Sequence, residues 1–186
     1  MISMFKIINT LLMVCFIFLV GYFFGIKEAR FYQVISGSME PTLNVGDRVM
    51  TIKKSRIERK NIVVIKDPKI SDEILIKRII GLPGENVEVK KGKVFINGRV
   101  LSEPYIKEPP IYSLKIKVPE NQYFLLGDNR NKSEDSSTWG PIDEELIISK
   151  VVLKYWPIKE FKLLLHPSVV NIPSTTSLRG DGIATS

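Results

Sequence analysis

Three short stretches of this 186-residue chain carry side chains that could do chemistry together. The first is Ser36-Gly37-Ser38-Met39-Glu40-Pro41-Thr42-Leu43. Its hydroxyls flank a glycine that lets backbone approach a substrate, and Pro41 stiffens the turn behind them. On composition it is equally an ordinary Ser/Gly loop. The second is Ile74-Leu75-Ile76-Lys77-Arg78-Ile79-Ile80-Gly81-Leu82-Pro83-Gly84-Glu85. Read as a strand, it puts Lys77 on the face of Leu75 and Ile79, and Arg78 on the opposite face. A lysine among aliphatics either snorkels, with its ammonium wet, or is desolvated until its amine can act as a base. An ordinary lysine is almost wholly protonated at pH 7. Lowering its pKa costs about 1.36 kcal/mol per unit, which apolar burial can supply. Arg78 cannot take this role, because a guanidinium does not deprotonate in proteins. The third stretch, Gly127-Asp128-Asn129-Arg130-Asn131-Lys132-Ser133-Glu134-Asp135-Ser136, is either a polar turn at a strand end or a shell that orients a base.

The rarest residues narrow the choice. The single cysteine, Cys15, forbids an intramolecular disulfide and any Cys-cluster metal site. With one histidine, His166, two-His zinc motifs cannot be built, and a Ser-His-Asp triad would depend on a residue near the C-terminus. Hydrolytic chemistry here therefore needs a base other than histidine. The net charge of +7 fits a solvated basic surface, anionic lipid or nucleic acid.

The elements that must position these stretches follow from the apolar pattern. Residues 7–26 run about twenty positions without a charge; as a helix they cover roughly 30 Å, the hydrocarbon thickness of a bilayer. No A-x-A-like site follows, so the run reads as an anchor rather than a cleaved leader. Short β-like runs then follow: Arg48–Ile52, Ile62–Ile65, Ile74–Ile80, Val87–Lys90, Lys93–Ile96, Tyr123–Leu126 and Lys150–Trp156. Lys91-Gly92 and Asn97-Gly98 are hairpin-type turns. The core is expected to be mainly β and antiparallel, a sandwich or barrel preceded by one transmembrane helix. We divide the chain into an anchor (1–30), a β-rich domain (31–160) and a tail (161–186) whose Ser, Thr, Gly and Pro content predicts mobility.

In this order behind an apolar span, Ser-Gly-Ser-Met-Glu-Pro-Thr-Leu, Lys-Arg-Ile-Ile-Gly-Leu-Pro-Gly and Gly-Asp-Asn-Arg resemble bacterial type I signal peptidases, membrane-bound Ser-Lys endopeptidases. The resemblance covers roughly residues 5–157. It implies Ser38 as nucleophile, Lys77 as its base, and the Ser36 hydroxyl with the Ser38 N–H as oxyanion hole. Ser133 matches the position that hydrogen-bonds the lysine, and Arg78 and Asp128 match an ion pair behind the site. Ile35, Met39, Leu43 and Ile76 are expected to line shallow pockets for small residues at −3 and −1. The implied reaction removes signal peptides from preproteins through an acyl-enzyme, with no metal or cofactor. The implied partners are signal peptides and the lipid bilayer, not nucleic acid. The family places the N-terminus in the cytoplasm and the catalytic domain outside, whereas the local Lys/Arg count slightly favours the reverse.

Three positions depart from the family pattern. Lys60-Asn61 stand in place of Gly-Asp, Asn131 in place of an acidic residue, and Ser137 in place of an arginine. Without that arginine, Asp135 is expected to be exposed or to pair with another residue such as Lys132. Two other classes compete with a peptidase. A non-catalytic, membrane-anchored β module would bind lipid or a partner through its basic face. A self-cleaving repressor would need a DNA-binding helix-turn-helix where this chain has an apolar run.

Overall fold

The structure, a computed structural model, describes residues 4–24, 28–54, 56–70 and 72–164. The N-terminal run forms helix α1, Met4–Phe24, 21 residues long. Every described side chain from Lys6 to Leu19 is exposed, so among the described residues nothing covers this apolar surface. Thr10 satisfies its hydroxyl internally by donating to the Lys6 carbonyl at 2.9 Å. Taken over the described residues alone, no helix is long and apolar enough to cross a membrane. The expected span of 7–26 runs past α1, and residues 25–26 lie outside the described residues.

Among the described residues twelve strands follow: β1 (Arg30–Gln33), β2 (Arg48–Lys53), β3 (Ile62–Lys66), β4 (Ile74–Gly81), β5 (Asn86–Lys90), β6 (Lys93–Ile96), β7 (Arg99–Val100), β8 (Leu114–Lys117), β9 (Gln122–Leu126), β10 (Ile142–Asp143), β11 (Ile147–Trp156) and β12 (Lys162–Leu163). A single helical turn, α2 (Ser136–Trp139), precedes β10. All pairings are antiparallel. The larger sheet runs β1-β2-β11-β3-β4-β9-β10, with β12 also on β11, and the smaller runs β7-β6-β5-β8. Each of the seven expected runs is a strand. The five further strands are two to four residues long, too short to show a period. Because β12 pairs with β11 at Leu153 and Lys154, the sheet reaches past the expected boundary at residue 160. The rest of the expected tail, 165–186 with His166, lies outside the described residues.

The larger sheet is covered on both faces, which is why β3 reads as an unbroken apolar run. Ile62 and Val64 pack with Val34, Met39, Leu43, Val49 and Val151. Val63 and Ile65 pack on the other side with Ile79, Leu125 and Ile147. A third cluster joins the two sheets: Val87, Val89, Val94 and Ile96 close over Ile80, Phe124 and Leu126. At that junction a Cβ on Gly81 would lie 2.6 Å from Val87 and 2.9 Å from the Phe124 Cβ, so the strands meet only over a glycine. Both expected hairpin turns have positive φ at each central residue, 48° and 70° at Lys91-Gly92 and 49° and 81° at Asn97-Gly98.

Candidate active site

After β1 the chain turns back over the larger sheet, held by Val34 N–H to the Asp47 carbonyl and Gly46 N–H to the Val34 carbonyl, both at 2.8 Å. Val34, Met39 and Leu43 sink into the core and leave Ser36 and Ser38 between them on a 3₁₀ turn, Gly37–Met39. Ser36 is extended, and its Oγ lies 3.2 Å from the Ser38 Oγ. The loop after β9 grips this turn from the other side. Asn129 N–H donates to the Ser38 carbonyl at 3.0 Å, and its Nδ2 donates to the Gly37 carbonyl at 3.1 Å.

Lys77 occupies the middle of β4, paired with Val63 of β3, and is 2% exposed. Its Nζ donates to the Ser133 Oγ at 3.1 Å. Burial pushes the amine below its ordinary pKa, while the carboxylates of Asp135, Glu134 and Asp67 pull the other way and lose. Lys77 thus has the desolvation of a base rather than the wet head of a snorkelling side chain. Ser36, Ser38, Lys77 and Asn129 line one cavity of about 520 Å³. Lys77 bonds Ser133 and Ser38 bonds Ser36, with no direct hydrogen bond from Lys77 to Ser38; such contacts commonly tighten only with substrate in place. Gly127 makes the convergence possible. A Cβ there would sit 2.3 Å from the Ser133 Oγ and 2.5 Å from the Ser38 carbonyl oxygen.

Behind the site, Arg78 and Asp128 form a two-pronged ion pair, Nε to Oδ1 at 2.7 Å and Nη2 to Oδ2 at 2.6 Å. Thr42 also donates to Asp128, at 2.5 Å, and Arg78 Nη1 donates to the Lys60 carbonyl. These contacts tie the nucleophile turn, β4 and the 127–131 loop together. The three departures each have a local account. Lys60 has a φ of 70°, a conformation natural to glycine, and Asn61 closes the same turn by accepting the Glu58 N–H. Asn131 accepts from the Ile111 N–H and donates to the Pro109 carbonyl, a combination that no carboxylate can make.

Asp135 requires a correction. It is neither exposed nor paired with Lys132, but fully buried. Its oxygens accept from Gly127 N–H at 2.9 Å, Ser137 N–H at 3.0 Å and Ser137 Oγ at 2.7 Å. Asp135 is itself the N-cap of α2, and the Ser137 N–H and hydroxyl supply local donors in place of a cation. A second correction concerns the pocket residues. Ile35, Met39 and Ile76 line an adjoining groove of about 580 Å³ with Ser36 and Ser38, but Leu43 does not, being fully buried in the core beneath the turn. Sequence reasoning missed Asn129 and Gly127. The signal for both was their place in the 127–136 stretch, which read as easily as a turn.

A profile of the signal peptidase family, peptidase S26, matches residues 4–156. A probable signal peptidase I-2 of Synechocystis sp. is 41% identical, over 75% of this chain and 67% of its own length. Thylakoidal processing peptidase 1 of Arabidopsis thaliana is 43% identical over 67% of this chain, which spans only 41% of that relative. Signal peptidase IB of Staphylococcus aureus is 34% identical over 87% of this chain and 96% of its own length.

Proposed function

The chain belongs to the signal peptidase family, peptidase S26, and is an enzyme of the type I signal peptidase class; from that premise we propose that it removes signal peptides with a Ser38–Lys77 dyad through an acyl-enzyme. The observation that carries this reading is a buried, desolvated lysine sharing one cavity with a serine held on a rigid turn. Neutral Lys77 takes the Ser38 proton as Oγ attacks the carbonyl carbon of the −1 residue. The oxyanion is met by the Ser36 hydroxyl, which lies beside the Ser38 Oγ, and by the Ser38 N–H. Collapse breaks the C–N bond, and Lys77 returns its proton to the departing amine. A water deprotonated by Lys77 then hydrolyses the ester. Ser133 orients the amine throughout.

We read residues 7–26 as a single membrane anchor. α1 is apolar, exposed at its described side chains, and continuous with two further uncharged residues in the sequence. β1 starts at Arg30, six positions after Phe24, which keeps the catalytic domain close to the lipid surface, on the extracytoplasmic side where the substrate's cleavage site emerges. Ile35, Met39 and Ile76 then present an apolar floor to small side chains at −3 and −1. The test is preprotein processing in liposomes, with a substrate carrying alanine at −3 and −1. Wild type should float with the vesicles and cleave. Ser38→Ala and Lys77→Ala should be slowed by at least about 10²-fold. Cleavage by Lys77→Ala at the wild-type rate, or wild type left behind by the vesicles, would sink the corresponding half of the reading.

A further inference from the structure

The segment between β7 and β8 is rooted at both ends in the smaller sheet, where Leu101 and Tyr112 pack on its core and Leu101 N–H donates to the Val94 carbonyl. Between those roots it passes the Arg78–Asp128 pair and bonds the loops around the site repeatedly, and Lys107 reaches the wall of the cavity that holds Ser38 and Lys77. Glu103, almost wholly buried, takes both arms of the fully buried Arg130, at 2.9 and 2.5 Å, while Arg130 Nε donates to the Gly127 carbonyl. Tyr105 lays its ring over Arg78, with the guanidinium carbon 3.9 Å from the ring centre, and its hydroxyl donates to Glu103 at 3.0 Å. Lys107 N–H donates to the Asp128 carbonyl at 3.1 Å, and its ammonium reaches Glu40 at 2.7 Å, two residues past Ser38.

We propose that residues Glu103–Lys107 are a positioning clamp for the Ser38–Lys77 pair, with Tyr105 as its central positioning residue. The inference rests on the dyad assigned above. Arg78 is the neighbour of Lys77 on β4, and it is held between the Asp128 carboxylate and the Tyr105 face. Asp128 is in turn the neighbour of Asn129, whose N–H and amide hold the Ser38 turn. One aromatic ring therefore closes a short chain of contacts that ends at the nucleophile on one side and at the base on the other. Guanidinium stacking fixes a plane, which an aliphatic side chain of similar volume cannot do. Small errors in the relative placement of reacting groups fall on the chemical step rather than on substrate binding.

The experiment is steady-state cleavage of a preprotein by the full chain in detergent micelles, with far-UV circular dichroism as the check on folding. Tyr105→Leu is expected to lower kcat by about tenfold or more with KM within about twofold, and Tyr105→Phe, which keeps the ring, to recover kcat to within about twofold. A folded Tyr105→Leu with wild-type kcat, a loss carried by KM alone, or a Phe variant as slow as the Leu variant would each overturn the clamp. Should Tyr105→Leu fail to fold, the half-exposed Lys107 supplies the second variant. Lys107→Glu sets like charges against Glu40 at the cavity wall and should lower kcat at least about threefold; wild-type kcat there also overturns the proposal. Ser38→Ala separates the two layers of argument. If it cleaves as well as wild type, the dyad falls and the clamp with it. If it is dead while the Tyr105 and Lys107 variants are normal, the clamp alone falls.

Discussion

Lys77 shows how little of a residue's function lies in its type and how much in its surroundings. The amine sits where desolvation lowers its pKa and three carboxylates, with Asp135 foremost, raise it again. Asp135 is held by Gly127 and Ser137 donors and forms no ion pair among the described residues, so its negative charge is left to act on Lys77. Cleavage should rise with pH as Lys77 loses its proton, at a pH below the ordinary value of 10.5. Asp135→Asn removes the strongest raising influence, so the acid limb of the kcat/KM profile should move to lower pH. Stability should fall by about 1–3 kcal/mol as the buried donors lose their charged acceptor. A limb that stays in place, or moves up, would separate Asp135 from the base. That Ser38, Lys77 and the Arg78–Asp128 pair would be brought together was legible in the sequence because each stands in a dense, ordered motif. Asn129, Glu103 and Tyr105 were not, because their value depends on loops that meet only in three dimensions.

Elements were legible in proportion to their length. The seven runs with a clear apolar pattern are strands, and both Gly-containing hairpins turn with the backbone angles those residues permit. The short edge strands β1, β7, β8, β10 and β12 owe their existence to neighbours rather than to their own period. Asp135 was misjudged for a related reason: the turn of α2 that satisfies it is four residues long and leaves no periodic trace. The turn before β3 offers a direct test of local cost. Lys60 has its positive φ enforced by its N–H to the Ile79 carbonyl and by its own carbonyl, which accepts from Arg78. Lys60→Gly should relieve that strain and raise the unfolding free energy by up to about 1 kcal/mol in urea titrations, with cleavage unchanged. A variant no more stable than wild type would show that the turn carries no such strain.

At the scale of the whole molecule, the two sheets and three apolar clusters of the described residues form one body, and β4 carries both core packing and the amine we assign as the base. That sharing couples acidity to the survival of the fold. The unfolded chain binds a proton on Lys77 with the ordinary pKa of 10.5, and the folded chain binds it less readily. Acid therefore favours the unfolded state, and the contribution of this group to stability climbs with pH between the lowered folded value and 10.5. Lys77→Met should abolish cleavage yet melt at a higher temperature than wild type. Its advantage should be widest on the acid side and should narrow as the solution approaches pH 10.5; an advantage that does not change with pH would refute the coupling. With Lys77 as the base we propose, the enzyme holds that amine in reserve against its own cohesion, and gives up part of its resistance to unfolding for as long as the amine is asked to carry a proton.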